Sequence, residues 1–170
     1  MVMLLTILLL LCAAIAPGDT KPLLQTNLEQ IPPLEAEEVE TQSRSCPSGW
    51  TRYGSRCFMF VSTQRTWLEA ERYCVHFGAN LASVHSSAEH HFVQELVRRH
   101  TNDLTYAWIG GFDHVQNRVW LWSDGSRLDY TSWHTGEPNN YNGKREPCLM
   151  MNWGGEKRWN DGNCGDKYSS

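Results

Sequence analysis

The sequence predicts an α+β domain, and three observations predict it. Two helix-start signatures are each followed by a short amphipathic run, several β-prone segments are bounded by turn residues, and one long irregular stretch carries most of the polar chemistry. The 170 residues suffice for one domain with appendages. A formal net charge of −4, with the 15 Lys and Arg scattered, leaves no basic footprint for nucleic acid. All eight tryptophans lie after position 49, which places the aromatic core in the second part of the chain.

Leu4 to Ala16 is an apolar run broken only by Thr6 and Cys12, followed by Ala16-Pro17-Gly18 as a small-residue cleavage site. It is shorter than the roughly 20 residues needed to span a bilayer, so residues 1–18 read as a signal peptide and the mature protein as secreted, without membrane insertion. Residues 19–44 carry five glutamates (Glu29, Glu35, Glu37, Glu38 and Glu40), three prolines and no aromatic residue, the composition of an acidic disordered tail or propeptide. Leu24, Leu28 and Ile31 have helical spacing, but Pro32-Pro33 stops the pattern, leaving a short oligomerising helix as the alternative.

The domain is expected over 45–170. Trp50 to Tyr53 and Cys57 to Val61 read as a hairpin around Gly54-Ser55. Thr66-Trp67-Leu68-Glu69 is a capping box, and Trp67, Ala70, Tyr73, Cys74 and Phe77 then share one apolar helix face, with Gly78 placed to end it. Asn80 to Val84 alternates as a short strand, and Ser86-Ser87-Ala88-Glu89 is a second capping box for a helix running to about His100 with Phe92, Val93, Leu96 and Val97 inward. His90, His91 and His100 lack the spacing of a zinc site, and the order Glu89-His90-His91 is not that of a metalloprotease. Tyr106 to Gly110, Val119 to Trp122, Leu149 to Trp153 and the Trp159 region are the remaining β-prone segments, with Ser123-Asp124-Gly125 as a turn.

Between them, Glu137, Asn139, Glu146, Asn160 and Asp161 gather carboxylate and amide oxygens, framed by Cys148 and Cys164. Such a set suits Ca²⁺, a hard cation that takes six to eight oxygens. Zinc would call for thiolate or imidazole. Gathered carboxylates also occur as solvated surface loops, so the pattern carries the argument and no single residue does.

Glu137-Pro138-Asn139, Glu146, Trp159-Asn160-Asp161, the cysteines and Trp108-Ile109-Gly110-Gly111 resemble the C-type lectin domain, in its mannose-type subgroup, from Cys46 to the C-terminus. The resemblance implies a C-type lectin-like fold, two helices with small antiparallel sheets and a long calcium-binding loop. It makes Glu137, Asn139, Glu146, Asn160 and Asp161 the shared ligands of one Ca²⁺ and of a carbohydrate with equatorial vicinal hydroxyls. It implies disulfides Cys46–Cys57 and Cys148–Cys164, and a cis bond before Pro138. Without Cys12 five cysteines remain, an odd number; the resemblance would pair Cys74 with a cysteine in a last strand expected to begin near Ser170, so the sequence is expected either to be truncated or to be a variant that has lost that bridge. Asn140 and Pro147 stand where the family's accessory calcium sites use acidic side chains, so a single ion is expected.

Ser83-Val84-His85-Ser86 and Trp122-Ser123-Asp124-Gly125 also resemble type II fish antifreeze proteins on the same fold, which makes ice binding the alternative. A lectin-like domain that binds protein without calcium is a further reading. No nucleophile motif such as G-x-S-x-G is present, so no enzyme is expected. A homo-oligomer stays open, although no collagen repeat or sustained heptad is present.

Overall fold

The computed structural model describes residues 45–170; the expected signal peptide and acidic tail lie outside the described residues. The chain opens with a hairpin of β1 (Thr51–Tyr53) and β2 (Arg56–Phe58), paired Thr51 to Phe58 and stapled to the preceding turn by the Cys46–Cys57 disulfide. Helix α1 (Trp67–His76) starts on a complete capping box: the Thr66 hydroxyl accepts from the Glu69 N–H, and the Glu69 carboxylate accepts from the Thr66 N–H at 3.0 Å. It stops at Phe77, ahead of Gly78, whose φ of +70° suits a glycine after a helix end. Trp67 and Ala70 are buried and the Trp67 indole donates to the Ile109 carbonyl at 2.9 Å, so α1 is pinned to the sheet at its first turn. Phe77, expected on the buried face, is instead 49% exposed: it is the cap residue beyond the last helical position, and its ring packs on Tyr73 and His76.

Helix α2 (Ser87–Thr101) buries Val93, Leu96 and Val97. Its capping box is only half made. The Ser86 hydroxyl accepts from the Glu89 N–H, but the Glu89 carboxylate is taken by the His85 N–H and by Arg56 Nη1 at 2.6 Å. A buried carboxylate gains more from a guanidinium than from one backbone donor.

Strands β3 (Ala107–Phe112), β4 (Leu121–Trp122), β5 (Cys148–Trp153) and β6 (Arg158–Gly162) form an antiparallel sheet in the order β4-β3-β5-β6. The expected strand over Asn80 to Val84 does not form. Ala82 gives its carbonyl to Gly110, while Arg56 binds both the carbonyl and the hydroxyl of Ser83, so the segment's polar groups serve as a brace and not as a ladder. Trp108, Ile109, Leu149, Met150, Met151 and Trp159 form the centre of the core, and three rings, those of Trp122, Tyr130 and Trp133, meet Trp159 nearly edge-on. Gly110 and Gly111 are required by close approach: a Cβ on Gly110 would lie 2.6 Å from the Leu81 carbonyl oxygen, and one on Gly111 2.7 Å from Leu149.

Tyr168 bridges Arg65, Ser169 bridges Ala107, and Ser170 exchanges backbone hydrogen bonds with Val61. Beside them the half-buried Cys74 thiol, which has no disulfide partner among the described residues, lines an apolar cavity of about 200 Å³ together with Phe58, Leu81, Val93 and Ile109. Burial, followed by the nearby Glu71, pushes this thiol up to about 11. No helix among the described residues is long and apolar enough to cross a membrane.

Candidate functional site

The β5–β6 pair is the platform. Register places Leu149 opposite Asp161 and Met150 opposite Asn160, so the Asn160-Asp161 dipeptide stands on a strand whose neighbours are buried. Cys148 and Cys164 close a disulfide just beyond, fixing the start of β5 against the chain after β6.

Asp161 is fully buried, and its carboxylate organises the loop that enters from Gly136. Its Oδ1 accepts from the Asn139 N–H at 3.0 Å and its Oδ2 from the Asn140 N–H at 2.7 Å. Two backbone donors on an ionised acceptor are charge-assisted bonds, stronger than neutral ones. The Glu137-Pro138 bond is cis, as the resemblance implied. Asn139 Nδ2 donates to Glu137 Oε1 at 2.9 Å. Beyond Asn140 the chain makes a short 3₁₀ turn at Tyr141–Gly143, and Glu146 returns to meet it: its N–H donates to Asn140 Oδ1 at 2.9 Å, and its Oε2 accepts from the Tyr141 N–H at 2.7 Å.

The structure therefore brings Glu137, Asn139, Glu146 and Asp161 together. Asn160 is held differently from the sugar-donor role expected for it: its Nδ2 donates to the Asp161 carbonyl at 2.5 Å and reaches the Met150 sulfur at 3.8 Å, inward from the loop. Sequence reasoning places Asn140 only at the accessory calcium sites and misses its part in bracing the loop, for which the Asn-rich stretch Asn139-Asn140-Tyr141-Asn142-Gly143 is the available signal. Asn140 and Asn142 both adopt left-handed backbone (φ of +51° and +54°), a conformation asparagine tolerates, and Asn140 ties the two halves of the loop together.

Three carboxylates share this corner, and its electrostatics fit a cation. Glu137 Oε2 is buried and meets no hydrogen-bond donor among the described residues. Burial first, then a hydrogen bond that the protonated form shares with Asp161, then the Asp161 and Glu146 charges, push the Glu137 carboxyl up to about 7. Glu146 is also held above the ordinary carboxylate range, chiefly by burial and in part by Asp161, against the opposing effect of the Tyr141 N–H. A buried, unpartnered carboxylate oxygen among other carboxylates is the environment a divalent cation relieves, and an all-oxygen donor set suits Ca²⁺. His90 makes no such site: it is buried under Trp159, with burial as the main cause pushing its imidazole down to about 4.

Comparison with known proteins follows the same lines. The profile of the Lectin C-type domain matches residues 63–170. Ladderlectin from Oncorhynchus mykiss is 55% identical, over 98% of this chain and 90% of that one. The galactose-specific lectin nattectin from Thalassophryne nattereri is 40% identical, over 80% of this chain and 84% of its own length. Among solved structures, herring type II antifreeze protein superposes with a TM-score of 0.67 at 41% identity, over 74% of this chain and 94% of the other.

Proposed function

The chain belongs to the C-type lectin domain family, and we propose that it is a secreted lectin that binds carbohydrate through a single Ca²⁺ held by Glu137, Asn139, Glu146, Asn160 and Asp161. The observation that carries this reading is the buried, unpartnered Glu137 Oε2 in a corner shared by three carboxylates. When bound, the ion supplies coordination positions for two vicinal sugar hydroxyls. Around it Glu137 and Glu146 accept from the sugar and Asn139 donates; in the free protein its Nδ2 donates to Glu137 Oε1, two residues away. Asn160 joins as a donor by turning its Nδ2 from the Asp161 carbonyl. Asp161 chiefly holds the loop and closes the metal shell.

By the resemblance to the mannose-type subgroup, the order Glu137 then Asn139 favours mannose-type sugars with equatorial vicinal hydroxyls, a preference suited to microbial glycans. The 40% identity to a lectin described as galactose-specific makes galactose the competitor to exclude. Elution from a mannan column at fixed calcium decides between them. Mannose should elute the protein at lower concentration than galactose, and the double change Glu137→Gln, Asn139→Asp should reduce or invert that margin by about ten- to a hundredfold, the cost of a mismatched polar pair. Galactose eluting the unchanged protein as readily as mannose contradicts the mannose assignment.

Ice binding is the second reading, supported by the 41% identity to herring type II antifreeze protein. Thermal hysteresis at millimolar protein without glycan binding would favour it. Calcium-dependent binding on a glycan array, abolished by chelator, favours the lectin.

A further inference from the structure

Glu146 lies between two residues that are both bound to one buried aspartate. Asp113, which directly follows β3, is 1% exposed. Its N–H donates to the Pro147 carbonyl at 3.0 Å. Arg145 Nη2 donates both to its carbonyl oxygen and to its Oδ1, each at 2.9 Å. Its Oδ2 accepts from the Arg118 N–H at 2.6 Å. Residues 145 and 147 are thereby fixed to the end of the central strand, and the residue they flank is Glu146. A second tie runs in parallel: Asn117 Oδ1 accepts from Asn140 Nδ2 at 3.4 Å, and Asn140 in turn accepts the Glu146 N–H.

Burying the Asp113 carboxylate demands a compensating charge, and a guanidinium supplies one together with fixed donor directions. We propose that the Asp113–Arg145 pair is the positioning element of the ligand loop, with Arg145 acting as a built-in cation that carries the rigidity of β3 into residues 140–147 and sets Glu146 in place before calcium arrives. The inference rests on the reading of Glu146 as a calcium ligand. It extends the site to two residues that do not touch the ion, and it explains how one metal can suffice where Asn140 and Pro147 offer no further carboxylates.

The sign of one substitution separates this role from a purely electrostatic one. Arg145 adjoins the acidic corner, and its positive charge opposes the approach of Ca²⁺. If Arg145 acted only as a charge, Arg145→Met would tighten calcium binding. If it positions Glu146, the same change weakens binding.

The experiment uses the full chain as wild type, Arg145→Met and Arg145→Lys. Calcium is titrated calorimetrically, and chymotryptic cleavage at the exposed Tyr141 is followed in chelator, where no metal contributes. Arg145→Met should raise the calcium Kd about tenfold or more, the usual effect of losing an outer partner of a metal ligand, and should speed cleavage in chelator. Arg145→Lys, which keeps the charge and one donor, should fall between the two. An unchanged or tighter Kd for Arg145→Met overturns the proposal, even if its melting temperature falls. Should Arg145→Met not fold, Arg145→Lys decides, with an unchanged Kd as the contrary result. Should the wild type bind no calcium, the ligand reading fails by itself, and equal cleavage rates of wild type and Arg145→Lys in chelator overturn the positioning role.

Discussion

Removing the Asp161 carboxylate should unfasten the whole ligand loop. Asp161→Ala deletes the acceptor for both the Asn139 and the Asn140 N–H, bonds of 3.0 and 2.7 Å to a fully buried group. A hydrogen bond to an ionised group contributes about 1.5–3 kcal/mol, so two of them amount to about 3–6 kcal/mol. Part of this is returned in the metal-free protein, because Asp161 also helps to raise the Glu137 carboxyl and its removal relieves that repulsion. A net loss of about 2–4 kcal/mol is therefore expected in chelator, a large fraction of a typical domain's 5–15 kcal/mol. Asp161→Asn keeps one acceptor oxygen and should cost about half as much. Urea unfolding at pH 7.4 in chelator, followed by tryptophan fluorescence with Trp159 two residues away as an internal probe, measures both. An Asp161→Ala unfolding free energy within about 0.5 kcal/mol of wild type would refute the anchoring role.

On the proposed calcium reading, Glu137 should make metal binding proton-linked. With its folded pKa near 7, the metal-free chain binds more protons than the unfolded chain between pH 4.5 and 7, so this group's contribution to metal-free stability is full below 4.5 and is lost as pH rises through 7. Calcium should accordingly displace close to one proton per ion at pH 6 and very little at pH 8.5, measurable by titration in two buffers of different ionisation heat; equal release at both pH values would contradict the assignment. Cys74, with its thiol near 11, should react with a thiol reagent at pH 8 about a hundredfold more slowly than an ordinary cysteine near 9, and full-speed labelling of the folded protein would count against its burial. Gly110→Ala should destabilise by about 1–3 kcal/mol because the new methyl meets backbone at Leu81, whereas Gly155→Ala, with nothing within 4 Å, should be near neutral; thermal melts of the pair compare them.

Much of this arrangement is legible in the sequence because it is local. The Thr66–Glu69 box, the glycine after α1 and the inward positions of α2 follow from spacing along a few turns, and all three form as expected. The two disulfides implied by the family resemblance also form. What the sequence hides is the destination of polar groups that find partners far along the chain. Ser83 interrupts an alternating run that reads as a strand, and only the arrival of Arg56, 27 residues away, explains why no ladder forms. Glu89 completes a capping-box pattern on paper but answers to Arg56, 33 residues away. In the ligand loop, the acidic and amide side chains stand out by type and clustering. Asp113 and Arg145 do not, since one follows an apolar strand, the other sits in an unremarked basic pair, and 32 residues separate them. Asn160 shows the complementary limit: its place on β6 is legible, but its amide is turned inward by the Asp161 carbonyl, with Met150 of the neighbouring strand beside it.

Calorimetric titration of Ca²⁺ into the chelator-treated protein at pH 7.4, repeated with Glu146→Gln, tests the central claim most directly. The account predicts a single saturable site per chain in the wild type and a Kd at least about tenfold weaker in the variant, which removes one carboxylate from the corner shared with Glu137 and Asp161. No saturable heat in the wild type, or an unchanged Kd in Glu146→Gln, would contradict it.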